Sequence, residues 1–229
     1  MSRVDWTRVG ADLDADGVAV IKGVLAKKSC EEMRERYADA QQFRSRVVMQ
    51  RHGFGRGEYQ YFAYPLPPLV QKLRETFYPP LAEVANRWMQ ALRLEARYPD
   101  THAEYRAACH AAGQLRPTPL LLRYGAGDYN CLHQDLYGAL SFPLQMVVLL
   151  SDPARDYEGG ELVLVEQRPR MQSRPLVVPL QQGDAAIFAV NERPVQGVRG
   201  TYRVKQRHGV SRITRGERHT MGVIFHDAA

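Results

Sequence analysis

In the stretch YNCLHQDLYGAL, residues 129–140, an imidazole and a carboxylate stand two positions apart: His133 and Asp135. Along an extended chain, residues i and i+2 point to the same side. Two such groups on one face either share a metal ion or sit as two polar residues on the wet edge of a sheet. A third ligand decides between these. Mononuclear non-haem iron takes two histidines and one carboxylate on one face and leaves its other positions open. The candidate third ligand is His208, in YRVKQRHGVSRITRGERHTMGVIFH. If that segment is a strand, Val204, Gln206 and His208 face one way, and Arg203, Lys205 and Arg207 the other. The imidazole then points into a pocket and a basic stripe points out. Taken alone, His208 reads more readily as a hydrogen-bonded core or edge histidine. Arg218 and Thr220 alternate along the following strand. A guanidinium with a hydroxyl beside it is a receptor for a carboxylate, through bidentate charge-assisted bonds and one further donor.

Such residues need a scaffold that brings them together. From about residue 118 the chain reads as seven short β-like pieces: PLLLRYGAG, FPLQMVVLLSD, GGELVLVEQ, RPLVVPL, GDAAIFAV, GVRGTYRVKQRHGV and RHTMGVIFHD. Their spacing predicts an antiparallel sandwich or barrel. The first hundred or so residues read mainly as helix, after a short strand in GVAVIKGVL. Ser29 is a plausible cap for a helix through CEEMRERYADAQQF. Residues 69–97 carry helical spacing (Leu69, Leu73, Phe77, Leu81, Val84, Ala85, Trp88), which Pro79 and Pro80 should kink or break. Between these helices RHGFGRGEYQYFAYPLPP reads as a long ordered loop, either a substrate wall or a surface excursion. HGFGRG resembles a phosphate loop only superficially, because no strand-to-helix context supports it. The helices buttress one face of the β core.

Composition narrows the partners. The chain has 229 residues, 45% apolar and 24% charged, as in an ordinary globular domain. No apolar run approaches the roughly 20 residues that span a bilayer. The N-terminal MSRVDWTRVGADLDADG lacks the apolar core of a secretory signal. Three well-separated cysteines, Cys30, Cys109 and Cys131, with no CxxC pair, point to reduced thiols and a cytoplasmic setting. Residues 161–229 carry +5 of the net +6 charge, either as a surface for an anionic partner or as a solvated face.

The ordered set His133-X-Asp135, Gly159-Gly160-Glu161-Leu162, Gly183-Asp184-Ala185-Ala186-Ile187-Phe188, His208 and Arg218 resembles the iron(II)/2-oxoglutarate-dependent oxygenases, in their prolyl-hydroxylase-like branch. The likeness covers roughly residues 118–227. Together with RHGFGRGEYQYFAYPLPPLV, it resembles a bacterial subgroup described as acting oxidatively on methylated, damaged DNA. The resemblance implies an α+β fold: a double-stranded β-helix (jelly-roll) core over 118–229, with an N-terminal helical region, 1–117, packed on it. That region would contribute a substrate loop at about 44–68. It implies iron(II) held by His133, Asp135 and His208, and O2 and 2-oxoglutarate as co-substrates. The far carboxylate of 2-oxoglutarate would go to Arg218, ten residues after His208, with Thr220 assisting. Arg215, in what should be a turn, fits that role less well. Tyr124 and Tyr129 resemble pocket tyrosines of this branch, or pack in the core. Cys131 shares the parity of His133 and either sits near the metal or, as the simpler reading, is a small buried filler. His52 falls in the loop, His102 and His110 have no ligand partner at useful spacing, and His219 and His226 should face away from Arg218.

Three functions follow from this reading. The first is oxidation of damaged nucleic acid, with Arg203, Lys205 and Arg207 meeting phosphates and the loop aromatics Phe54, Tyr59, Tyr61 and Phe62 stacking on a base. The second is hydroxylation of a protein or a small molecule. The third is a non-catalytic barrel, which the complete set of three ligands plus Arg218 argues against.

Overall fold

The computed structural model describes residues 4–136, 138–198 and 200–229. Arg199, inside the strand read over 197–210, lies outside the described residues, as do Tyr137 and the first three residues. The chain opens with α1 (Trp6–Asp16), β1 (Val18–Ile21), α2 (Lys27–Glu35), β2 (Phe43–Val48), β3 (Gly55–Arg56) and β4 (Glu58–Phe62). Two helices follow, α3 (Pro68–Ala91) and α4 (His102–Ala111). Then come β5 (Leu120–Tyr124), β6 (Tyr129–His133), β7 (Leu144–Leu149), β8 (Tyr157–Gly159), β9 (Leu162–Gln167) and β10 (Arg174–Val178). The chain closes with β11 (Ala185–Ala189), β12 (Glu192–Gly197), β13 (Gly200–Val210), β14 (Ile213–Gly216) and β15 (Arg218–Val223).

The strands form a larger sheet in the order β1-β11-β7-β15-β5-β4-β2 and a smaller one in the order β10-β9-β13-β6-β3, with β12 paired to β13 and β14 to β8. The pairings are antiparallel throughout. Two such sheets closed on one another are a double-stranded β-helix, and with the helices outside it the fold is α+β. All seven β-like pieces are strands.

Strict alternation sorts the side chains of the larger sheet. Met146 and Val148 of β7, Ala185 and Ile187 of β11 and Met221 and Val223 of β15 join a core with Val70, Leu73, Phe77 and Trp88 of α3. Their neighbours one step along, such as Ala186 and Phe188, face Leu162, Leu164 and Val178 of the smaller sheet. The central strands are therefore buried on both faces, which is why they read as continuous apolar runs.

Three expectations for the N-terminal region are corrected. The long loop carries strands: β2 and β4 extend the larger sheet beyond β5, while β3 pairs with β6. The period of β4 is obscured because two of its inward residues are polar. Glu58 is held by Arg46 and Arg123, and Gln60 donates to the Tyr37 carbonyl at 2.8 Å. Second, Ser29 lies inside α2, whose cap position is Ala26, and the helix ends at Glu35 rather than running to residue 43. The Asp39 carboxylate takes the Gln41 N–H at 3.2 Å and the Gln42 side chain at 2.7 Å, so local side-chain bonds replace further helix. Third, α3 continues through Pro79 and Pro80. Each proline costs about 3 kcal/mol in a helix interior. Burying large side chains on both sides of the pair, Phe77, Tyr78, Leu81 and Trp88 among them, returns roughly 1.5–3 kcal/mol apiece. The packing wins.

The helix layer is tied down by polar bonds: Trp88 Nε1 donates to Asp14 at 2.7 Å, and the buried Arg74 pairs with Asp227 at 2.8 Å. No helix among the described residues is long and apolar enough to cross a membrane. Three buried histidines also set the acid response. Burial lowers His102 to about 3 and both His219 and His226 to about 4, helped by Arg74 for His102 and His226 and by Arg34 for His219. An unfolded chain binds these protons near pH 6.5, before the folded one does. The stability they contribute is therefore complete above that pH and drains away as pH falls towards 4. With three protons involved, the slope reaches at most about 4 kcal/mol per pH unit. Urea midpoints at pH 7 and pH 5 should differ clearly; equal midpoints would refute the neutral, buried assignment.

Candidate metal centre

β6 and β13 run antiparallel with His133 directly opposite His208, so the two imidazoles form a cross-strand pair with ring centroids 4.2 Å apart. Asp135 follows just beyond the end of β6. His133 Nε2 lies 3.5 Å from one Asp135 oxygen and His208 Nε2 3.3 Å from the other. The ligand atoms of the three residues all lie within 4.8 Å of one another, a spacing able to hold a metal ion. Two histidines 75 positions apart in sequence meet because the barrel closes between their strands.

The hydrogen bonds around the rings suit a lone pair on each Nε2. His133 Nδ1 lies 2.8 Å from the Cys131 carbonyl, which can only accept, so the proton sits on Nδ1 and the lone pair on Nε2. Gln145 Nε2, an amide donor, lies 3.0 Å from His208 Nε2, so that nitrogen also presents its lone pair. Burial, and then the neighbouring His208, hold His133 below the usual histidine range despite Asp135. Two imidazoles and a carboxylate, aimed at one point, suit a divalent transition metal with open positions.

The three residues share a cavity of about 410 Å³ with Arg218, Thr220 and Tyr124. Arg218 is 2% exposed, and its Nε and Nη1 make no hydrogen bond among the described residues. No carboxylate of the described residues pairs with it; its guanidinium is flanked by the rings of Tyr124 and Tyr157 at 5.8 and 5.9 Å. A buried cation without a counter-charge is costly, and this one faces a cavity that can take an anion. The Gly-Gly turn makes room for it. Gly160 has φ +68°, and a Cβ there would meet Arg218 Cδ at 2.9 Å. Asp184 of the second glycine motif serves the fold instead, its carboxylate accepting from Lys22 and the Gly23 and Gln181 N–H groups at 2.8–2.9 Å.

Other residues divide between cavity and elsewhere. Tyr124 is buried in the cavity, whereas Tyr129 is 39% exposed and lies outside its lining. Cys131 is exposed and lines the cavity, not a buried filler, because its strand runs along the rim. Arg215 is on the surface with Glu158 at 2.7 Å. His102 bonds the Phe225 carbonyl, His110 pairs with Asp227, and His219 opens onto a different pocket beside Arg34 and Arg123. Arg203, Lys205 and Arg207 are exposed on the outer face of β13, and Arg203 is already paired with Glu192 at 3.0 Å. Of the loop aromatics, Phe62 is fully buried, Tyr59 and Tyr61 line the cavity, and Phe54 is 48% exposed at its rim, stacked on His52 at 5.3 Å. Gln145 went unread. Its signal is a polar residue at an inward position of an apolar strand.

The model of a family described as "oxygenase, catalysing oxidative methylation of damaged DNA" matches residues 57–228. Two uncharacterized proteins of Mycobacterium tuberculosis are each 51% identical over 168 residues, covering 73% of this chain and 72% of theirs. Among solved structures, a Pseudomonas putida prolyl-4-hydroxylase aligns with TM-score 0.56 at 15% identity, over 98% of this chain and 100% of that one. A Burkholderia pseudomallei oxidoreductase of the 2OG-Fe(II) oxygenase family aligns at 0.52 and 12%, over 100% and 94%. The non-haem, alpha-ketoglutarate-dependent epimerase SnoN of nogalamycin biosynthesis aligns at 0.56 and 17%, over 95% and 80%. At these identities the likeness is one of fold.

Proposed function

The chain belongs to this oxygenase family, and on that premise we propose that it is an iron(II)- and 2-oxoglutarate-dependent dioxygenase acting on a damaged or methylated base in single-stranded nucleic acid. One observation carries the reading: a two-histidine, one-carboxylate cluster shares its cavity with a buried guanidinium that has no carboxylate partner among the described residues. His133, Asp135 and His208 would hold the metal. Bound iron with 2-oxoglutarate supplies the oxidation, in which O2 and the oxo acid yield succinate, CO2 and one hydroxylated C–H of the substrate.

The protein's own part is positional. Arg218 and Thr220 take the far carboxylate of 2-oxoglutarate. Burial pushes the Tyr124 phenol well above its usual range, so it stays protonated and able to donate. Leu122, Val147, Leu162 and Phe188 wall the cavity and keep bulk water from the reacting centre. If the oxidised carbon is an N-methyl group, the hydroxylated product loses formaldehyde.

The rim favours a flat substrate. Phe54 stacks on His52 beside the exposed Leu132, and the segment is pinned in place: Gly55 has φ +126°, and a Cβ there would meet the Tyr129 carbonyl at 2.4 Å. A base leaving its stack can lie on such a platform, which single-stranded or damaged DNA allows more cheaply than intact duplex. Lys205 and Arg207, with Arg203 in its ion pair, would meet phosphates on the outer face of β13. A salt titration of single-stranded oligonucleotide binding tests both parts. Each lost phosphate contact lowers the slope by about 0.7, so the Arg203/Lys205/Arg207 triple alanine variant should flatten it by up to about 2. Phe54→Ala should lose about 1–3 kcal/mol with the slope unchanged. No binding at low salt, or variants indistinguishable from wild type, would instead favour hydroxylation of a protein or small molecule.

A further inference from the structure

We propose that Gln145 hydrogen-bonds the metal-chelating end of the 2-oxo acid, as the counterpart of Arg218 at the far end; this rests on the iron and 2-oxoglutarate reading above. Gln145 is the second residue of β7 and is 6% exposed. On the inward face of that strand it precedes Val147 and Leu149, and its partner across the sheet, Phe188, is apolar too. An amide in that position is costly to bury unless its polar atoms are used. Its Oε1 has no hydrogen-bond partner among the described residues, and its Nε2 has one, His208 Nε2 at 3.0 Å.

That contact competes with ligation. A neutral imidazole nitrogen has one lone pair, and His208 Nε2 is the nitrogen that faces Asp135. When the lone pair goes to a metal, the amide of Gln145 lies against the coordination sphere with both N–H donors free. A ligand rich in acceptor oxygens satisfies them, and the adjoining carboxylate and keto oxygens of a 2-oxo acid are such a ligand. Gln145 would thereby favour co-substrate only where metal is already seated. Arg218, on a different strand of the same cavity, recognises the other carboxylate.

Two acids separate the two ends. Both 2-oxoglutarate and pyruvate carry the chelating 2-oxo acid, but pyruvate lacks the far carboxylate. Binding of each is followed anaerobically on metal-loaded protein through the visible charge-transfer absorption, and metal affinity is measured separately by chelator competition. Gln145→Leu, and the near-isosteric Gln145→Glu, should leave metal retention at or above the wild-type level. Both should weaken both acids by about tenfold to a hundredfold, the worth of a hydrogen bond to a charged group. Arg218→Ala should weaken 2-oxoglutarate alone. If the Gln145 variants bind both acids like wild type, or lose only 2-oxoglutarate, the assignment is overturned. If wild type itself binds no metal or no 2-oxoglutarate, the reading beneath it fails and the assignment falls with it.

Discussion

Alanine at Asp135 is expected to abolish turnover by emptying the metal site. Asp135 is the single anion among the three converging groups, and it bridges both imidazoles at 3.3 and 3.5 Å. Removing it leaves two neutral nitrogens for a divalent cation. The loss of metal affinity should exceed the roughly 10–100-fold seen when only an outer hydrogen-bond partner is removed. His208→Ala should be nearly as severe, because that ring is buried against Phe188 and water cannot replace it easily. His133, whose side chain is 35% exposed, should leave the most residual metal when truncated. Metal content after anaerobic reconstitution reads all three. Wild-type occupancy in every variant would sink the ligand assignment, whatever the activities.

Arg218→Ala should raise the concentration of 2-oxoglutarate needed for half-maximal rate by about a hundredfold or more, since two charge-assisted bonds at roughly 1.5–3 kcal/mol each are at stake. Lysine should rescue only in part, as it keeps the charge but loses the fork. The same substitution should leave the free protein as stable as wild type or more so, because it removes a buried cation that no carboxylate of the described residues balances. An opposite pattern, with stability lost and co-substrate response intact, would make Arg218 a structural residue. Arg215→Ala serves as the control: its side chain is 71% exposed and its ion pair with Glu158 is on the surface, so both quantities should hold.

Much of this site is local in origin, and local signals are legible. The alternation in RVKQRH separates Val204, Gln206 and His208 from Arg203, Lys205 and Arg207, and the structure buries the first set and exposes the second. Period two is a property of the extended backbone itself, independent of what lies across the strand. The same holds for Arg218 and Thr220 on β15, and for the seven strand segments after residue 118. The double-stranded β-helix followed from resemblance, and the antiparallel pairing bears it out.

Where tertiary contacts outweigh local preference, the sequence misled. Two prolines sit inside one continuous helix because the apolar face of α3 packs on the larger sheet. Glu58 and Gln60 obscure a strand because their partners, Arg46, Arg123 and the Tyr37 carbonyl, come from other elements. The role of Gln145 was hidden for a like reason: a glutamine in an apolar strand stands out by its polarity, but acquires meaning only once β13 brings His208 within 3.0 Å of it. Strand parity, which depends on the backbone alone, gave the facing of the candidate metal ligands and of Arg218 in advance. Which strands would meet, and so which polar groups share a dry cavity, was decided by burial of the two sheets against each other and against the helices, a free energy that no single segment carries.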